Sequence, residues 1–421
     1  MNTSAALTRR YPALASSNFR IFLLGQFVSL IGTWMQNTTQ PYLAYRITGQ
    51  PIYLGLIGFA AALPALLFML PGGVLVERMD KRKVVIVMQT VMMLQALTLG
   101  ALALSGQIVI WHIVALAVVL GVANSIEITA RQAMLIELVG KEALPNAIAL
   151  NSTVFNMARV LGPALVAPLL VLLHEQGEGW AFIANAVSYL FVIISLFFVH
   201  ISREHSSNIG QRESAMQQFR EGQRYIRGTI VVAVLILMAA VPGFFGFPAI
   251  QQVPVFARDV FRQLGDTEAI VAARNSAMIV AQGVGALIAS ITLATFSMMK
   301  RKGMFLIIGQ FVFSLALVGI AFTRDIGVSL PLMMLIGFGT VTALAMTNTL
   351  IQLLVPNQLR GRVISTYLWA LQGVAPFGSL FMGWLAQSFG APTAVLTGGL
   401  ICLALVIIVQ VLTPTIRQLR V

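Results

Sequence analysis

The sequence predicts an all-α integral membrane protein, with twelve transmembrane helices arranged as two six-helix bundles. Three observations lead there. First, 58% of the 421 residues are apolar and only 10% are charged, where soluble domains carry about 25% charged residues. Second, the apolar residues fall into twelve runs, most of roughly 20 residues or more, enough for a helix to cross ~30 Å of hydrocarbon. Third, the basic residues sort by loop: 21 Lys and Arg lie on the side of the termini, and four (Arg46, Arg258, Arg262, Arg324) on the other. One missed span would scramble that sorting, so it supports the count and places both termini in the cytoplasm. The net charge of +13 therefore reads as membrane orientation, and nucleic acid is excluded as a partner.

The runs lie at about 20–44, 53–76, 84–105, 108–130, 147–173, 180–200, 229–257, 269–298, 303–323, 328–354, 362–386 and 391–412. They must be helical, because lipid offers backbone groups no partner and each has to bond within its own segment. Ten-residue stretches of alternating polarity, the mark of a membrane barrel, are absent. Before the first run come Arg9, Arg10 and Arg20 but no apolar core, which reads as a cytoplasmic tail rather than a signal peptide. A short turn at Gly72–Lys83 joins the second and third runs and carries Arg78, Lys81, Arg82 and Lys83.

The longest polar interval, Ile201 to Arg227, divides the chain into residues 1–200, a cytoplasmic linker 201–228, and 229–421. Within it Met216, Phe219 and Ile226 share one face of a helix-like run, opposite Arg220, Glu221 and Arg224. That pattern suits a helix lying in the membrane interface; a solvated linker is the other reading. The halves repeat weakly: Leu138-Val139 leads to Leu144 and on to Gly162-Pro163, as Leu354-Val355 leads to Leu359 and on to Ala375-Pro376. A repeat of six spans is a transporter layout, with substrate held near the midplane.

Polar groups inside spans are the candidate substrate contacts. If the fifth helix starts near Ala147, Arg159 lies ~18 Å into a ~30 Å core. A central arginine is costly and should face a cavity or a partner, such as an anionic substrate group, backbone carbonyls, or nearby amides; it would otherwise snorkel. The first span offers Gln26, Gln36, Asn37 and Gln40. The seventh offers Phe244, Phe245, Gln251 and Gln252 and is interrupted by Pro242, Pro248 and Pro254. Gln282, Asn348, Trp369 and Gln372 follow in later spans. The substrate set is Arg159, Gln36, Asn37, Gln40, Phe245, Gln252, Gln282 and Trp369, each amide being equally readable as a helix–helix hydrogen bond.

Other chemistry is missing. No G-x-x-x-x-G-K-[ST] loop is present, which argues against nucleotide-driven pumping. The four His residues are scattered near span ends, so no metal or cofactor is expected, and no cluster at one membrane face suggests an enzyme. The single Cys402 excludes an intramolecular disulfide. Glu127 is the one acid inside the early spans, near a span end.

The turn Gly73-x-x-x-Glu77-Arg78-x-Asp80-Lys81-Arg82-Lys83 resembles the loop signature of the major facilitator superfamily, G-x-x-x-D-R-x-G-R-K. Glu77 stands for the usual Asp, and Asp80 for the usual Gly. Thr129-Ala130-Arg131-Gln132, Leu144-Pro145-Asn146-Ala147-Ile148-Ala149-Leu150-Asn151 and Leu359-Arg360-Gly361-Arg362-Val363 resemble the branch holding the enterobactin exporter and macrolide-efflux-like proteins. The resemblance runs from Asn18 to the last span.

It implies roles. Glu77 is expected at the N-terminus of the eleventh helix in one conformation, where the helix dipole favours an anion. Lys81, with Arg82 in reserve, is expected to meet an acid at the inner end of the fourth helix; Glu127 is the residue placed for it, with Arg131 competing locally. Gly73, Glu77, Arg78, Lys81, Arg82, Glu127 and Arg131 then form a cytoplasmic latch of the outward-open state. Gly162 and Pro163, in Ala158-Arg159-Val160-Leu161-Gly162-Pro163, resemble part of the antiporter motif of exporters; a plain packing face is the alternative.

The function implied is a monomeric secondary exporter of a small organic molecule, drug-like or siderophore-like, in the plasma membrane, working by alternating access and coupled to protons. An importer of the same fold and a membrane sensor are the alternatives.

Overall fold

The computed structural model describes residues 11–173, 176–199, 215–295 and 301–419, leaving aside the side chains of 69–78 and 215–219. Among these residues twelve long helices form, matching the twelve runs. They are α1 (Ser17–Thr48), α2 (Ile52–Arg78), α3 (Lys81–Leu104), a single 64-residue helix Ile110–Leu173 and α6 (Gly177–Phe198). The long helix breaks at Gly140, and we number its parts α4 (110–139) and α5 (141–173). A shorter helix, α7 (Ala215–Gly228), precedes α8 (Ile230–Val260), α9 (Glu268–Thr295), α10 (Lys302–Phe322), α11 (Ile326–Leu354), α12 (Asn357–Phe389) and α13 (Ala391–Leu412).

The largest departure from expectation is at 131–146, which the hydropathy leaves as a loop. It is helical except at Gly140, whose φ of 74° lies in the left-handed region open to glycine. Hydropathy stops at the edge of the lipid, but helical periodicity does not. Met134, Leu135 and Leu138 continue one apolar stripe and bury it against Ala13, Phe19 and Phe22. The chain before α1 closes over that stripe: Ser16 Oγ donates to the Leu138 carbonyl at 2.8 Å, and Asn146 Oδ1 accepts from Ala13 N at 3.1 Å.

The turn between α2 and α3 is tighter than its sequence suggests. Asp80, where the family pattern has glycine, is the N-cap of α3, and its Oδ1 accepts from Lys83 N at 3.3 Å. The departure thus satisfies an otherwise orphaned helix-end amide.

The helices gather into two compact units. Unit 1 is Met1–Thr48, Leu63–His205 and Gly265–Val280; unit 2 is Gly49–Ala62, Ser206–Leu264 and Ala281–Val421. Helices α2 and α9 are therefore shared, each beginning in one unit and ending in the other. We call the end of unit 1 where α1 begins, and the end of unit 2 where α8 begins, proximal; the opposite ends are distal.

Unit 2 owes its irregularity to proline. Pro242, Pro248 and Pro254 each lack the N–H that an earlier carbonyl needs. Around them α8 loosens into π-helical turns at Pro242–Gly246 and Phe256–Val260. Pro242 frees the Met238 carbonyl, and Gln310 Nε2 of α10 takes it at 2.6 Å. A third π-helical turn, Trp369–Gly373, interrupts α12. Helix α7 packs on the proximal start of α12. Glu221 is ion-paired with Arg362, Gly222 lies against that arginine's stem, and Tyr225 OH donates to the Leu354 carbonyl at 3.4 Å. Arg220 and Arg224 are exposed and Ile226 is buried, as the periodicity implies. Glu221, grouped with them by the helical wheel, turns to Arg362 instead. The side chains of Met216 and Phe219 lie outside the described residues.

Candidate functional site

The amides expected to line a pathway in α1 do something else. Gln36 and Gln40 are 1% and 5% exposed. Gln36 Nε2 donates to Gln40 Oε1 and to Gln95 Oε1, each at 3.1 Å, and Asn185 Nδ2 donates to Gln36 Oε1 at 2.7 Å. One side chain thereby ties α1 to α3 and α6 inside unit 1. Gln95 and Asn185 were not singled out by the sequence; the available signal was that both are amides near the middles of their helices.

Asn37, one residue on, is exposed on the other side of α1. It lies three residues from Trp34, so the two share a face. Trp34 is close to the midpoint of α1, and there α5 crosses it. A Cβ on Gly162 would lie 2.5 Å from Trp34 Cβ and 2.8 Å from the Ile31 carbonyl, so only glycine permits this approach. Pro163 is buried beside it.

Arg159 stands at this crossing. Its guanidinium carbon is 5.3 Å from the centre of the Trp34 ring, and Phe155 meets the same ring edge-on at 5.5 Å. Among the described residues it has no carboxylate partner, and none of its nitrogens is among the buried unpaired atoms. The side chain is half-buried. A cation over an aromatic ring gains about 0.5–2 kcal/mol. An arginine at this depth costs at least ~2.5–3.5 kcal/mol. The ring alone does not offset the charge.

At the proximal end of unit 1 the pairing differs from the expected one. Lys81 is ion-paired with Glu137, not Glu127. The reason is the extra length of α4, which carries a second acid past the membrane edge to the start of α3. Glu127, 2% exposed, accepts from Arg131 Nε at 3.0 and 3.3 Å and from Gln89 Nε2 at 3.1 Å, so the local pair wins. Arg82 donates to the Phe197 carbonyl at 3.2 Å. The side chains of Glu77 and Arg78, and the surroundings of Gly73, lie outside the described residues.

At the distal end of unit 1 is a cluster the sequence reading missed. Arg46 Nε is 2.9 Å from Glu178 Oε1, and the Tyr42 hydroxyl lies 3.2 Å from both the backbone carbonyl and Oε2 of Glu268. Arg274, whose position falls inside the run at 269–298, is paired with Asp266; its Nη2 donates to Oδ1 at 2.8 Å.

In unit 2, Gln252 is 1% exposed, and among the described residues neither its Oε1 nor its Nε2 has a partner. Burying an unpartnered amide costs about 1–3 kcal/mol. Neighbouring Gln251 lies over Gly58, its Oε1 2.5 Å from where a Cβ would stand. Phe245 joins Phe244, Phe381 and Trp384 in a chain of ring contacts between 4.6 and 5.9 Å. Gln282 is buried, and its backbone packs on Gly337 of α11. Trp369, in the π-helical turn of α12, is 60% exposed. The structure thus brings together Arg159, Trp34 and Phe155 on one face of unit 1, with Asn37 one turn along α1 from Trp34, and takes Gln36 and Gln40 away from it.

A family model described as "Transmembrane secretion effector" matches residues 8–419. The chain is 25% identical over 381 residues to the staphyloferrin A transporter of Staphylococcus aureus, covering 88% of this chain and 90% of that protein. It is 22% identical over 417 residues to the multidrug efflux pump Tap of Mycolicibacterium fortuitum, covering 98% of each. Among solved structures, the nucleoside transporter NupG superposes with a TM-score of 0.71 at 11% identity, covering 94% of this chain and 98% of that one. The inward-open xylose transporter XylE from E. coli gives 0.68 at 14% identity, covering 94% and 96%.

Proposed function

Because the chain belongs to the transmembrane secretion effector family of the major facilitator superfamily, we propose that this membrane transporter exports a small organic molecule by alternating access of its two six-helix halves. The observation that carries the reading is Arg159, a guanidinium at mid-helix depth without a carboxylate partner among the described residues. Such a group is tolerable only where water or a ligand reaches it. The face of unit 1 bearing Arg159, Trp34 and Asn37 is then the wall of a hydrated path rather than a lipid contact.

Export is favoured by two further points. Tap, similar over nearly its whole length, is an efflux pump by name, and Gly162-Pro163 matches part of the exporter motif. The 21-to-4 distribution of basic residues supports a plasma-membrane orientation with the proximal ends and both termini in the cytoplasm. In that orientation the Lys81–Glu137 and Arg131–Glu127 pairs are the described part of a cytoplasmic latch. For proton antiport the carboxylate at hand is Glu127, and releasing it from Arg131 and Gln89 is the step that coupling requires. Gln252 is assigned to substrate or water in another state of the cycle, which would give its amide the partners it lacks here.

The test uses inside-out vesicles from cells expressing the protein and a compound chosen by thermal-shift screening of the purified protein. ATP-independent uptake into these vesicles, lost with Arg159→Gln, is the expected result. Uptake confined to right-side-out vesicles assigns import instead, and binding without movement in either orientation overturns transport.

A further inference from the structure

We propose that the substrate is an organic anion, held through its negative group by Arg159 and through a flat apolar part by the rings of Trp34 and Phe155. This rests on the transport reading above and names the chemistry of the same site.

Lys81, Arg46, Arg131, Arg274 and Arg362 are all partly or mostly buried, and each has a carboxylate: Glu137, Glu178, Glu127, Asp266 and Glu221. Arg82 and Arg360, also partly buried, have none among the described residues, but each lies in the first turn of its helix, at the edge of the span. Arg159 has no carboxylate among the described residues either, although it lies farther from the nearer end of its helix than any of these. No acid of the described residues supplies its counter-charge, and the proposed substrate brings a negative group to it.

The surroundings say what kind of anion. Contact with the Trp34 ring uses none of the five N–H donors of the guanidinium, and they are arranged to grip a carboxylate or phosphate with two parallel bonds. Trp34 and Phe155 meet edge-on at 5.5 Å, giving an apolar wall beside those donors. Phe155 is 42% exposed, so the wall is open. Asn37, exposed on the Trp34 side of α1, adds an amide that can donate or accept. Asn156 does not compete, because its Nδ2 already donates to the Ser152 carbonyl at 2.9 Å. A cation of the same shape would meet an uncompensated positive charge at low dielectric.

The test uses three probes that share one aromatic body and chain: pyrenebutyrate (anionic), pyrenebutanol (neutral) and pyrenebutylamine (cationic). Each is titrated into purified protein in neutral detergent, with binding read from pyrene emission excited through tryptophan. We expect the carboxylate to bind about tenfold or more tightly than the alcohol, the scale of a charge-assisted hydrogen bond, and the amine to bind most weakly. Arg159→Gln should bring the three within about twofold of one another, while Arg159→Lys should keep their order. Equal binding of all three to the wild type overturns the proposal. So does a carboxylate preference that survives in a folded, monodisperse Arg159→Gln protein. The measurement needs no gradient, so a protein that binds the carboxylate but moves nothing in vesicles counts against the transport reading alone.

Discussion

Unit 1 buries Gln36 and unit 2 buries Gln252 among apolar helices, and the two side chains meet opposite surroundings. In unit 1 Gln36 donates twice and accepts once, joining three helices. In unit 2 Gln252 is as deeply buried and bonds to nothing among the described residues. Identical side chains at similar depth thus play a structural part in one place and carry an unmet demand in the other. An amide that is already saturated has nothing left to offer a ligand, whereas one without partners stays costly until something supplies them. Exposure alone does not separate the two; hydrogen-bond bookkeeping does.

The sharpest way to break this comparison is Gln36→Leu. Its two interhelical hydrogen bonds are worth about 0.6 kcal/mol each in a membrane protein, and the buried Gln95 and Asn185 amides lose that partner, so the variant should lose roughly 2 kcal/mol and melt at a lower temperature in detergent. An unchanged melting curve would remove the structural role. Gln310→Leu comes next. It leaves the Met238 carbonyl, freed by Pro242, without a donor, at a cost of about 1–1.5 kcal/mol. The measurable sign is faster hydrogen exchange around the π-helical turn of α8. Gln252→Leu should go the other way, raising stability by up to ~1 kcal/mol because a buried unpaired amide is removed, while transport falls. If it destabilises as much as Gln36→Leu, the distinction between the two glutamines collapses. The smallest effect belongs to Glu137→Gln at the proximal end. Its pair with Lys81 is about a quarter exposed on both sides, so stability should change by no more than ~0.5 kcal/mol. A drop in transport rate without a drop in melting temperature would assign the pair to the working cycle.

How much was readable varies from residue to residue. Arg159 stood out because charge is rare in such spans, and its depth follows from counting 1.5 Å per residue. Its neighbour Trp34 did not stand out, because a tryptophan in an apolar run looks like any other packing residue. The Lys81 partner was misassigned because hydropathy ends α4 at the lipid boundary, whereas the helix continues as long as Met134, Leu135 and Leu138 find apolar company. Asp80 looked like a flaw in a glycine position and is a helix cap. The Tyr42–Glu268 contact joins residues more than two hundred positions apart, and no local pattern announces it.

The sequence by itself determined the helical class, the number of spans and the sorting of basic residues along the chain. Those follow from one-dimensional constraints: hydrocarbon leaves every backbone amide to its own helix, and charge in a loop does not depend on what packs against it. Only the tertiary structure decided which polar groups look inward at one another and which look out. Whether a glutamine in a span is saturated depends on what the neighbouring helices present at its height, and that is set by helix rotation and crossing at points such as Gly162. These are properties of pairs of helices, and no single stretch of the chain contains them.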